Sequence, residues 1–178
     1  MFVKLNRFIY ERRRMMDNHD LEKIYQKYYK ELYLYAYSIC KNHHIAQEIV
    51  SDTFFKALLS IQKTDGNMKY WLIRVCKNLL IDHFRKRKKF IDVPIEDIPL
   101  VFDEKNIAKL IKSENRTKLY QAVLKLSDSY REIVTMYYFM ELTSEEIAKN
   151  VGSTVGSVRT VLYRARNQLR IILKEELK

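Results

Sequence analysis

The chain has 178 residues, 47% apolar and 31% charged, and its 33 Lys and Arg outnumber 22 Asp and Glu to give a formal charge of +11 and a pI near 9.5. That length fits one domain or two small ones, and the charge favours a polyanionic partner, nucleic acid ahead of an anionic membrane surface. No apolar run approaches the roughly 18–20 residues that span a bilayer, and two cysteines, Cys40 and Cys76, offer no disulfide framework, so a reducing cytoplasm is the expected compartment.

Glycine and proline are scarce enough to act as punctuation: Gly66, Gly152 and Gly156, with Pro94 and Pro99. So few breakers predict an almost entirely helical chain, interrupted near Gly66, across the prolines and at Gly152. Residues 1–19 read as a basic N-terminal extension. The segment MFVKLNRFIYERRR mixes charges into its apolar stretch and lacks a small-residue cleavage site, a poor match to a signal peptide. Arg12, Arg13 and Arg14 precede Met15 and Met16, which leaves a basic arm and a mis-chosen translation start both open.

From about Asp20 to Lys41, Leu21, Ile24, Tyr25, Tyr28, Leu32, Tyr35, Ala36 and Ile39 form one stripe at helical spacing. Its tyrosines read as core and boundary packing. Asn42, His43 and His44 break the pattern. A second helix is expected from Ile45 to Ile61, with Ile49, Val50, Thr53, Phe54, Ala57, Leu58 and Ile61 inward. On its other side Glu48, Asp52 and Phe55 align at i, i+4 and i+7. Two carboxylates beside an exposed aromatic in so basic a chain suggest a protein-docking face; on the residues alone, a plain solvated face is the commoner reading.

Lys63 to Asn67 reads as a loop, and a third helix from Met68 to about Lys88 as anchored by Trp71, Leu72, Val75, Leu79 and Ile81. Arg74, Lys77, Asn78 and Arg85 offer cations and amides along another side. The terminal run Arg85-Lys86-Arg87-Lys88-Lys89 suits phosphates and the helix dipole, with nuclear targeting or mere solubility as competing explanations. Phe90 to about Lys105 has no helical period, holds both prolines and carries Asp92, Glu96, Asp97, Asp103 and Glu104, which marks an acidic linker. The second domain begins near Ile107 or Lys118. Leu119, Val123, Leu124 and Leu126 form one helical face; Ser127-Asp128-Ser129 looks like a turn and cap; Ile133, Val134, Met136, Tyr137 and Met140 form the next helix.

Thr143 to Arg170 reads as two helices around a tight turn. Thr143 and Glu146 have capping-box spacing, Ile147, Ala148 and Val151 face inward, and Gly152 closes the first helix. Ser153 or Thr154 caps the second, whose Val155, Val158, Val161, Leu162, Ala165 and Leu169 repeat with helical period, while Arg159, Thr160, Tyr163, Arg164, Arg166, Asn167 and Arg170 lie on the other face. This is the pattern of a helix-turn-helix, whose second helix enters a major groove; a helical hairpin with a solvated arginine face is the bland alternative.

No Gly-rich phosphate loop, nucleophile elbow or pair of catalytic carboxylates appears, so neither an enzyme nor a small-molecule substrate is expected. Cys40 with His44, and Cys76 with His83, are too sparse for a four-ligand metal site, and no metal or cofactor is expected.

Taken together, these segments resemble the bacterial sigma factors of the extracytoplasmic-function type, which have only sigma regions 2 and 4. IAQEIVSDTFFKAL is similar to the region 2 docking helix, MKYWLIRVCKNLLIDHFRKRKK to the promoter-reading helix that follows, and LSDSYREIVTMYYFMELTSEEIAKNVGSTVGSVRTVLYRARNQLR to a whole region 4. Three positions depart from the usual pattern: Ser51 replaces a glutamine, Gln47 a common acid, and Ser127 a frequent proline, for which a serine able to cap the helix is an acceptable substitute.

The resemblance implies an all-α chain of two small helical domains joined by a flexible acidic linker, the C-terminal one a helix-turn-helix: region 2 over 20–89, linker over 90–115, region 4 over 116–178. It implies core RNA polymerase, promoter DNA and an anti-sigma factor as partners. Glu48, Asp52 and Phe55 would dock polymerase. Thr64, Asp65, Gly66 and Asn67, with Lys56 and Asn78, would capture a base flipped from the minus-ten element, whose extrusion costs a few kcal/mol of stacking. Trp71 belongs to the same element's reader, and Arg74, Lys77, Arg85 and Arg87 would hold its phosphates. Val155, Gly156, Ser157, Arg159, Thr160, Tyr163 and Arg164 would meet the minus-35 element, Gly156 permitting close backbone approach. The competing function is a stand-alone helix-turn-helix regulator with a helical sensor or dimerisation domain, which leaves the acidic docking face and the second basic helix unexplained.

Overall fold

The computed structural model describes residues 18–60, 68–90, 104–111 and 113–176. Among them are eight helices and no strand: α1 (Asn18–Cys40), α2 (His43–Ser60), α3 (Met68–Phe90), α4 (Glu104–Ile111), α5 (Glu114–Leu124), α6 (Asp128–Tyr138), α7 (Ser144–Val151) and α8 (Val155–Glu176). Helices α1, α2 and α3 pack on one another, α5 to α8 form a second group, and α1 also packs on α6, so the two groups share a contact.

Helix α1 is the centre of the molecule. From Leu32 to Ser38 every residue is buried, because α2 and α3 cover one side and α6 the other. The expected stripe along this helix is therefore a belt that goes all the way round. Tyr29, Tyr33 and Tyr37 stack at four-residue spacing with centroids 6.1 and 6.0 Å apart, and the tyrosines do serve as packing. The helix ends where Lys41 takes φ of 51°. Asn42 then caps α2, its Oδ1 accepting from the Ile45 N–H at 3.1 Å, so the expected break holds one residue of cap while His43 and His44 already begin the next helix.

In α2, Ala46, Ile49, Val50, Thr53, Phe54 and Ala57 are buried; Leu58, expected inward, is 45% exposed, and Ile61 lies outside the described residues. In α3 the buried row is Leu72, Ile73, Cys76 and Leu80, with Trp71 and Leu79 packed at its edge. Ile81, expected as an anchor, is 52% exposed. It falls on the same helical row as Arg74, Asn78 and Arg85, at i, i+4, i+7 and i+11, and that row points away from α1 and α2.

Within the stretch expected as linker, residues 104–111 are helical: Ile107 and Ile111 are buried where α4 meets α5. Residues 91–103, with both prolines and four of the acids, lie outside the described residues. Ser127 precedes α6 as foreseen, yet its side chain makes no capping bond. The turn is secured instead by Arg131, which is 4% exposed. Its guanidinium donates to the Leu126 carbonyl at 2.9 Å and the Leu124 carbonyl at 3.4 Å, and it pairs with Asp128 at 2.5 Å. One side chain thus satisfies carbonyls at the end of α5 and fixes the start of α6.

Candidate nucleic-acid interface

The α7–turn–α8 pair is held by local chemistry as well as by tertiary packing. The Thr143 hydroxyl accepts from the Glu146 N–H at 3.2 Å while the Thr143 N–H donates to the Glu146 carboxylate at 2.9 Å, a complete capping box at the start of α7. Gly152 takes φ of +67° and ends that helix, with the Ser153 N–H bonded to the Ala148 carbonyl. Of the two candidate caps for α8, Thr154 is the one used: its hydroxyl oxygen accepts from the Ser157 N–H at 3.1 Å.

Along α8, Val158, Leu162, Ala165 and Leu169 are buried, at i, i+4, i+7 and i+11. The opposite face exposes Gly156, Ser157, Arg159, Thr160, Tyr163 and Arg164. Tyr163 is 66% exposed. Val155 is half-buried and packs on the core, so it positions the helix start rather than offering an edge to a base. Arg159 lies 3.5 Å from Glu145 in a largely exposed pair, which leaves the guanidinium available at little energetic cost. Arg166 is committed elsewhere: it donates to the Tyr138 hydroxyl at 2.8 Å and lies over the Tyr137 and Tyr138 rings. Nearby, α5 and α8 line a groove of about 380 Å³ with Leu119, Leu169, Leu173 and Arg170.

On α3, Arg74, Asn78 and Arg85 are exposed, Arg85 in a surface pair with Asp82 at 3.2 Å. Trp71 is half-buried against the core. Lys77 is drawn out of this row. Its Nζ sits 2.9 Å from the Glu132 carboxylate on α6 and 3.3 Å from the Asn150 carbonyl at the end of α7. Thr64, Asp65, Gly66 and Asn67 lie outside the described residues, as does the side chain of Arg87.

On α2, Glu48, Asp52 and Phe55 are exposed along one row, Phe55 at 60%, with Lys56 beside them. The sequence reading omitted Leu59, which is 70% exposed and continues the row at i+11 from Glu48. The signal was present in that spacing. The two thiols are buried or partly so, and burial pushes Cys40 up to about 11 and Cys76 up to about 12, which suits packing rather than nucleophilic or ligand chemistry.

A family model described as Sigma-70 region 2 matches residues 24–90, and one described as Sigma-70, region 4 matches residues 116–169. The chain is 30% identical over 153 residues to the ECF RNA polymerase sigma factor SigM of Bacillus subtilis (strain 168), a match covering 85% of this chain and 94% of SigM. It is 30% identical over 160 residues to the ECF RNA polymerase sigma factor SigW of the same strain, covering 83% and 86%. Its fold is similar to that of the sigma factor RpoE from Bartonella quintana, solved with the anti-sigma factor NepR, at a TM-score of 0.67 and 24% identity over 87% of this chain and 97% of that one. It is also similar to CnrH, solved with the cytosolic domain of CnrY, at a TM-score of 0.63 and 19% identity over 93% and 94%. With two sigma-region matches in order and full-length relatives at this identity, the chain belongs to the extracytoplasmic-function family of RNA polymerase sigma factors, with sigma regions 2 and 4.

Proposed function

We propose that residues 20–89 hold core RNA polymerase and address the minus-ten element while residues 116–178 read the minus-35 element. Polymerase docks on the outer row of α2, through Glu48, Asp52 and Phe55 and on to Leu59. The exposed row of α3, Arg74, Asn78 and Arg85, takes the opening strands, with Lys56, Trp71, Lys77 and Arg87 around it and the 64–67 loop as the pocket for an extruded base. Arg159, Thr160, Tyr163 and Arg164 of α8 enter the upstream major groove. The observation that carries this reading is the division of α8 into a buried apolar row and an exposed row of arginines and hydrogen-bonding groups, set behind a capped, glycine-closed turn. An arginine bidentate to guanine contributes about 1–3 kcal/mol of discrimination.

An anti-sigma factor is part of the proposal, because RpoE was solved with one; exposed Phe55, Leu58 and Leu59 give such a partner an apolar surface to cover. No described helix is long and apolar enough to cross a membrane, and polymerisation chemistry is assigned to the partner enzyme. The docking assignment is tested by gel filtration with purified core polymerase. The unaltered chain co-elutes, and the double substitution Glu48→Lys, Asp52→Lys weakens the complex at least tenfold, in keeping with the loss of two interfacial charges of the right sign. Undiminished co-elution of a folded double variant places docking elsewhere.

A further inference from the structure

Helix α7 sets a carboxylate against the exposed row of α8. Glu145 is the second residue of α7, and the capping box that Thr143 and Glu146 form around it fixes the backbone from which it projects. Its Oε1 lies 3.5 Å from Nη2 of Arg159, with the two side chains 57% and 70% exposed. That distance is longer than an ordinary N–H···O bond, and a pair so open to water adds little to stability. The contact is therefore a poor brace between α7 and α8, whose packing already rests on buried Ile147, Ala148, Val158 and Leu162.

What the contact supplies is direction. An arginine in a DNA-facing row has two competing targets: a phosphate, which gives affinity without sequence information, and a base edge, which carries the sequence. In a chain of charge +11 the pull of the phosphates dominates. A carboxylate beside the guanidinium offsets that pull and narrows its choice of rotamers. The fork still keeps enough N–H donors for both acceptors of a guanine edge. Once DNA covers the pair, the water that weakens it in the free chain is removed.

We propose that Glu145 is a positioning residue for base readout: it turns Arg159 away from the phosphates and towards one base edge of the duplex that α8 enters. This rests on the reading of α8 as the major-groove helix. It goes further in giving a residue of α7 control over how sharply one position is read.

The test is enrichment of bound sequences from a randomised duplex library, with the full chain on core polymerase. Arg159→Ala marks the position that this arginine reads. Glu145→Gln keeps the side chain's size and leaves the capping box intact. It lowers the preference at that position about three- to tenfold and keeps the other positions within about twofold. It also raises affinity for an unselected mixed-sequence duplex about two- to threefold. On an Arg159→Ala background the same change moves that last affinity less than about 1.5-fold, because no arginine remains to be released onto a phosphate. Glu175→Gln, which removes an exposed acid near the far end of α8, changes no preference and measures the bare effect of charge. Unchanged preference at the Arg159 position in folded Glu145→Gln protein overturns the proposal, and leaves Glu145 a bystander charge. An equal loss at every position overturns it too, and makes Glu145 a structural support of the turn. If the unaltered chain enriches no sequence, or Arg159→Ala weakens no position, the reading of α8 fails first and takes the proposal with it.

Discussion

Arg164 and Arg131 show how differently one residue type is used in this chain. Arg164 is exposed on the outer face of α8 and has the reach for a base edge. Arg164→Ala is expected to cost promoter binding about 1–3 kcal/mol and to leave polymerase affinity unchanged; measured by mobility shift and by co-elution, a loss of both would make the side chain structural. Arg131 is buried with carbonyls and Asp128 as partners. Arg131→Ala leaves those carbonyls unsatisfied inside the protein, and a loss of about 2–4 kcal/mol is expected in chemical denaturation; a change under about 0.5 kcal/mol would mean that water replaces the guanidinium there. The exposure of Arg164 was legible in the sequence, since it keeps period with the other exposed positions of its helix. The burial of Arg131 was not. Arg131 lies just beyond the Ser127-Asp128-Ser129 turn and cap with no pattern of its own, and only the approach of the α5 terminus shows that a charge is needed inside. Lys77 is a similar case, its ligands coming from helices more than fifty positions away.

At the scale of the element, the α7–α8 pair was the most legible part of the chain because its signals are local. Thr143 with Glu146, Gly152, and the period of Val158, Leu162, Ala165 and Leu169 each specify backbone geometry within a few residues. Helices α1 and α3 were less legible. Their boundaries follow from periodicity, but which face is buried depends on how many neighbours arrive. Three neighbours bury α1 all round, and Ile81 of α3 is left outside because α1 and α2 meet a different row. Gly156 separates an element's stability from its function. A Cβ there meets nothing nearer than 4.0 Å, the Thr154 hydroxyl, so Gly156→Ala is expected to raise thermal stability by up to about 1 kcal/mol through helix propensity. If the bare backbone lies against DNA, the same variant lowers promoter affinity severalfold. Greater stability with unchanged affinity would show that this turn of α8 keeps its distance from the duplex.

For the whole molecule, two modules with opposite needs share one chain. The outer row of α2 carries acids and apolar groups suited to a protein partner, while α3 and α8 carry the cations, and α1 joins the two halves through α6. The sequence implied both modules by the spacing of their motifs. It was silent on the joint, because Tyr35, Lys77, Glu132 and Asn150 have no local pattern that marks them as partners; Tyr120, whose hydroxyl donates to the Leu34 carbonyl, is equally anonymous in sequence. The division of labour makes one requirement that neither module can satisfy alone: polymerase must gain start-site choice from this chain. Run-off transcription with core polymerase on genomic fragments tests it directly. Addition of the folded chain is expected to yield discrete transcripts from a restricted set of fragments, absent with core alone and lost with Glu48→Lys, Asp52→Lys. Transcripts no different from those of core polymerase by itself would contradict the assignment of this chain as a working sigma factor.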